Sequence, residues 1–167
     1  MHIGLAVAAG MVAVLPLWLA LEPATAKEEP AKEVLWGKQC GKRPDGNDLC
    51  VVQQFISGQP GNRQLLLVQF GYNGAQNKPR LILSAPLGSL LPGGISLSID
   101  GKKPLTVPFE TCTAGGCLSI IDMDGTALEQ FRKGKVLTVR YFAGEQNPLE
   151  LPVKLDGLDA ALKNIAP

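Results

Sequence analysis

The sequence holds one histidine, His2, among 167 residues. It falls within a segment read below as a leader, so the mature chain is expected to carry no imidazole. That excludes a Ser-His-Asp or Cys-His nucleophilic system, a His-ligated metal and the commonest general base. An excess of one charge is also missing, since 16 Lys and Arg stand against 15 Asp and Glu. Nucleic acid is bound through clustered basic side chains, so this balance argues against such a partner. There is no CxxC pair, no Gly-Lys-Ser/Thr phosphate cradle and no dinucleotide fingerprint. "GYNGAQNK" and "LPGGIS" contain glycines, but both read as turns. No catalytic residue, metal site or cofactor is therefore expected.

From Ile3 to Leu21 no side chain carries a formal charge, and "EPATA" follows with Ala24 and Ala26 in small-x-small spacing. Residues 1–26 read as a signal peptide cleaved after Ala26, because the apolar run ends in a processing pattern. The basic start usual for a leader is absent. Residues 27–33, "KEEPAKE", read as a charged linker, and residues 34–167 as a single domain with no integral membrane span after cleavage. Losing Glu22 moves the net charge from +1 to +2. The four cysteines, Cys40, Cys50, Cys112 and Cys117, all follow the leader. An even count in an exported chain reads as two disulfides, with sequence proximity favouring Cys40–Cys50 and Cys112–Cys117.

Period-two alternation dominates the rest. In "ISLSID" Ile95, Leu97 and Ile99 face one way; in "LTVPFE" Leu105, Val107 and Phe109 do, and Asp100-Gly101 between them suits a hairpin. "VLTVRYF" turns Leu137, Val139 and Tyr141 inward, and "LELPVKL" turns in Leu149, Leu151, Val153 and Leu155, with Pro152 marking an edge strand. "LCVVQQFIS", "RQLLLVQFG" and "RLILSAP" are apolar on both faces, as central strands are, and Asn73-Gly74 suits the hairpin joining the last two. The pattern predicts an all-β fold, an antiparallel sandwich or barrel-like domain of about nine strands. Two short helices are expected. "DGTALEQFRKG" has Thr126 and Glu129 at capping-box spacing, Leu128 with Phe131 on one face and Gly134 as stop, while the tail aligns Leu158, Leu162 and Ile165.

Asp122 and Asp124 are the nearest approach to a carboxylate pair that could run a hydrolase, although a strand end leading into a capped helix is the commoner meaning. A calcium loop at the same "DMDG" fails, because Ile120 and Phe131 stand where carboxylates are required. Trp36 is expected in the core beside the Cys40 disulfide, and Tyr72, in a turn, is free to contact a partner. In "SAPLGSLLPGG", Pro86 and Pro92 forbid regular helix and Gly88, Gly93 and Gly94 permit turns around Leu87, Leu90 and Leu91. Those leucines either plug one end of the domain, the expected outcome, or form an exposed binding patch. Were they to line an open cavity, the chain would suit a small-ligand or lipid carrier.

The order W-x3-C, "CVVQQ", "APLGSLLPGGISLSIDG", "PFETCTAGGC" and "LEQFRKGK" resembles the invasion associated locus B family over about residues 34–157. The resemblance implies a secreted or periplasmic all-β protein of alphaproteobacteria, named for members that help pathogens enter host cells, with no established catalytic centre. Cys40, Cys50, Cys112 and Cys117 fall on the family cysteines, and Pro86, Leu87, Gly88, Gly93 and Gly94 on its central loop. The expectation is a non-enzymatic protein in the periplasm or at the outer surface. It would bind a protein or envelope component through the 86–94 loop and Tyr72.

Overall fold

A computed structural model describes residues 35–43, 46–58, 63–73 and 77–167. The leader and linker read at residues 1–33 and the Gly74 half of the Asn73-Gly74 turn lie outside these residues. Among the described residues, ten strands form two antiparallel sheets. The first sheet has β1 (Gly37–Lys42), β2 (Asp48–Gly58), β3 (Arg63–Gly71), β4 (Arg80–Ala85), β8 (Gly116–Asp122) and β7 (Thr111–Thr113), in that spatial order. The second has β10 (Pro148–Lys154), β9 (Val136–Phe142), β5 (Ile95–Ile99) and β6 (Leu105–Val107). The doubly apolar strands β2, β3 and β4 are interior to their sheet, and β10, which carries Pro152, is an edge. Proline cannot donate to a ladder, so an edge is where it is tolerated.

Alternation decides what meets between the sheets. Val52, Leu66, Val68, Phe70, Leu81 and Leu83 from the first sheet join Ile95, Leu97, Leu137, Val139, Leu151 and Val153 from the second in one buried cluster. Asp100 (φ 50°) and Gly101 (φ 70°) occupy the left-handed region at the β5–β6 turn, as its two central residues must for a mirror-image hairpin turn. The Asp100 carboxylate accepts the amide N–H groups of Lys135 and Val136, which pins that turn to the start of β9.

Helix α1 (Gly125–Lys133) buries Leu128 and Phe131, and Phe131 meets Phe70 edge-on at 5.3 Å. Its cap differs from the sequence expectation. Asp124, not Thr126, is the N-cap, and its carboxylate accepts the Ala127 amide at 2.7 Å. Glu129 pairs with Arg132 and Lys133 instead of closing a capping box. Helix α2 (Leu158–Lys163) buries Leu158 and Leu162, and Arg132 links the two helices through Asp159.

Trp36 is buried, as expected, and packs edge-on against Phe70 at 5.5 Å. One further expectation is corrected. Leu105 stands opposite buried Leu97 yet is 59% exposed, on a strand only three residues long at the edge of the second sheet.

Candidate functional site

The segment between β4 and β5 crosses the end of β9. Leu90 N–H donates to Phe142 O at 2.9 Å, Gly144 N–H donates to Gly88 O at 3.0 Å, and Ser89 pairs with Ala143 as an isolated bridge. Within the segment, Ser89 Oγ donates to Pro86 O at 2.8 Å, and Leu91–Gly93 makes one turn of 3-10 helix. Gly88 (φ 91°) and Gly94 (φ 60°) supply backbone that other residues rarely adopt. A Cβ on Gly94 would lie 2.4 Å from the Val107 carbonyl oxygen, so the return into β5 is possible only with glycine there. The loop is thus held to β9 and the segment after it at Gly88, Ser89 and Leu90.

This bracing decides where the leucines go. Leu87 is 60% exposed, Leu91 is 47% exposed and Leu90 is half-buried. The expected plug is therefore not what forms, since two of the three stand in solvent. Pro86 is half-buried, Pro92 and Gly93 are exposed, and Gly94 is buried. Leu87 borders a groove of about 520 Å³ whose other walls include Arg63, Leu65, Tyr141 and Leu149. Leu90 and Leu91 do not line it. Arg63, Leu65 and Tyr141 escaped sequence reasoning because they come from strands distant in the chain, and only the pairing of sheets brings them beside residues 86–89.

Tyr72 is elsewhere. It is half-buried against the core, and its carbonyl accepts from Arg43, so it stands apart from the groove at the 86–94 loop. The cysteines form two local clasps at opposite edges of the first sheet. Cys40 and Cys50 face each other across β1 and β2 with sulfurs 2.07 Å apart, and Cys112 and Cys117 do so across β7 and β8 at 2.11 Å.

Asp122 and Asp124 do not form a catalytic pair. Asp122 holds Arg80 through both oxygens, at 2.6 and 3.0 Å, and the Arg80 guanidinium keeps its carboxyl below the ordinary aspartate range. A group held ionised in this way cannot act as the proton donor that glycoside hydrolysis requires. Asp124 is occupied as the cap of α1. Among the described residues, no group of three His, Cys, Asp or Glu side chains could hold a metal ion, and no helix is long and apolar enough to cross a membrane.

The chain matches the sequence model of the "Invasion associated locus B (IalB) protein" family over residues 36–166. It is 29% identical over 131 residues to an invasion protein B homolog of Brucella abortus (strain 2308), covering 78% of this chain and 75% of that one. A homolog from Brucella abortus biovar 1 (strain 9-941) matches to the same extent. The crystal structure of invasion associated protein b from Bartonella henselae superposes with a TM-score of 0.67 at 27% identity, covering 78% of this chain and 90% of that chain.

Proposed function

We propose that this chain, which belongs to the invasion associated locus B family, is an exported, non-enzymatic binding domain of the cell envelope. It engages a protein or envelope component through the 86–94 loop. The observation that carries this reading is the bracing of Gly88–Leu90, the backbone between exposed Leu87 and Leu91, by hydrogen bonds to β9 and to the segment after it, beside a groove that includes Arg63. Exposed apolar side chains on a fixed backbone lose little entropy when a partner covers them, which favours binding. The paired cysteines suit an oxidising compartment outside the cytoplasm.

The test is a photo-crosslinking amino acid placed in living cells at position 87, with exposed Lys154 on β10 as the control position. A discrete adduct from position 87 that is absent from position 154 is the expected result. No adduct at 87, or the same adducts at both positions, contradicts a binding role for the loop.

A further inference from the structure

Leu105 pairs directly with Leu97 across β6 and β5. Directly opposed residues share a sheet face, so Leu105 points the way buried Leu97 points, toward the first sheet. Its exposure of 59% means that this inward face is uncovered at one end of the domain. The uncovered space is a cavity of about 280 Å³ walled by Leu97, Ile99, Leu105, Ile121, Met123 and Phe131. It shares no lining residue with the groove at Pro86–Ser89.

Four charged side chains stand at its edge, Lys102, Lys103, Asp122 and Asp124. Both carboxylates are already engaged, Asp122 by the Arg80 fork and Asp124 by the Ala127 amide of α1. Neither lysine makes an ion pair among the described residues. Lys102 does feel Asp100, but that carboxylate is bound by the Lys135 and Val136 amides. Of the four charged side chains at the cavity, the two ammonium groups are the ones with neither an ion pair nor a side-chain hydrogen bond among the described residues.

We propose that this cavity binds one fatty-acid anion, with the alkyl chain between the sheets and the carboxylate at Lys102 and Lys103. The size fits a chain of medium length. A methylene fills roughly the volume of a water molecule, about 30 Å³, so the space takes about nine such groups. The lysines select the head, since an ammonium beside an apolar cavity favours an anion over a cation of equal chain length.

Calorimetric titration of the purified protein with decanoate tests this. Saturable one-to-one binding is expected, with affinity rising about fourfold per methylene from hexanoate to decanoate and levelling off beyond. Decyltrimethylammonium should bind far more weakly. The Lys102→Ala/Lys103→Ala variant changes only exposed side chains; it should weaken decanoate about tenfold and keep the chain-length dependence. Ala127 of α1 also lines the cavity, so Ala127→Phe should block it and abolish binding, provided its melting transition remains cooperative. If that variant fails to fold, the lysine variant decides. Absence of saturable decanoate binding up to about 1 mM overturns the proposal. So does equal binding of both head groups, or no effect of the lysine substitutions. Because this cavity and the 86–94 loop are separate, either result leaves the loop's binding role to its own test.

Discussion

The Tyr141 hydroxyl donates a 2.6 Å hydrogen bond to the carbonyl of Leu65, the one residue of β3 that has no partner in β2. The register slips between Ile56 and Ser57, so Ile56 pairs with Leu66 and Ser57 with Gln64. Leu65 is the extra residue of a bulge, and β4 pairs with β3 only from Leu67 onward. A strand of the second sheet thus satisfies a carbonyl that the bulge takes out of the first sheet's ladder. The same two residues line the groove beside Leu87.

Tyr141→Phe is expected to cost about 0.5–1.5 kcal/mol, because it removes a part-buried hydrogen bond, and urea denaturation measures it. Burial also raises the Tyr141 phenol above its ordinary range. The folded state therefore holds this proton more tightly than the unfolded chain. That contribution to stability is complete below about pH 10 and declines as the pH rises further, and the Phe variant should lose this alkaline dependence.

The two loop glycines should respond differently to alanine. Gly88 has positive φ but open space around a new Cβ, so Gly88→Ala should cost about 1 kcal/mol of backbone strain. Gly94 combines φ 60° and ψ −165° with a Cβ position 2.4 Å from Val107 O. Gly94→Ala should cost about 3 kcal/mol or more. Equal melting temperatures for the two variants would contradict the loop's described backbone.

Each disulfide should stabilise mainly by restricting the unfolded chain, and the longer loop more. With separations of 10 and 5 residues, removing Cys40–Cys50 should cost about 3 kcal/mol and removing Cys112–Cys117 about 2 kcal/mol. Paired Cys→Ser variants compared by thermal melting check both the size and the order. An unchanged melting temperature would show that the clasps do not carry stability.

Acid should weaken the fold through identifiable carboxylates. Asp100 is held low by the amides of Val136 and Lys135, Asp122 by Arg80, and Asp159 by Lys163 and Arg132. Their lowered values mean that the unfolded chain binds protons first. The stabilisation is complete above about pH 5 and is lost as the pH falls through and below about 4. Asp100→Asn should flatten the acid side of a stability profile measured by urea denaturation between pH 6 and pH 3.

Most strands were legible because alternation records which side chains face a core. The inward rows at Leu137–Tyr141 and Leu151–Leu155 needed nothing else. Asp100-Gly101 was legible because few residue pairs tolerate two positive φ values. What escaped depends on contacts distant in sequence. Asp124 caps α1 because β8 ends before it, a boundary that the Thr126–Glu129 spacing does not reveal. Leu105 fits the inward pattern but stays exposed, since alternation gives direction and not cover. Tyr72 looked free in its turn, yet the core reaches it. The leucines of the 86–94 loop could not be assigned from composition, because the hydrogen bonds that fix the backbone between Leu87 and Leu91 come from β9 and the segment after it.

A binding role in the envelope requires the protein to work outside the cytoplasm. The direct measurement is protease treatment of intact cells, of cells with the outer membrane opened, and of fully lysed cells, with detection of the chain beside a cytoplasmic marker. The chain should be digested no later than when the outer membrane is opened, while the marker survives. Protection of both until the inner membrane is lysed would contradict an envelope role.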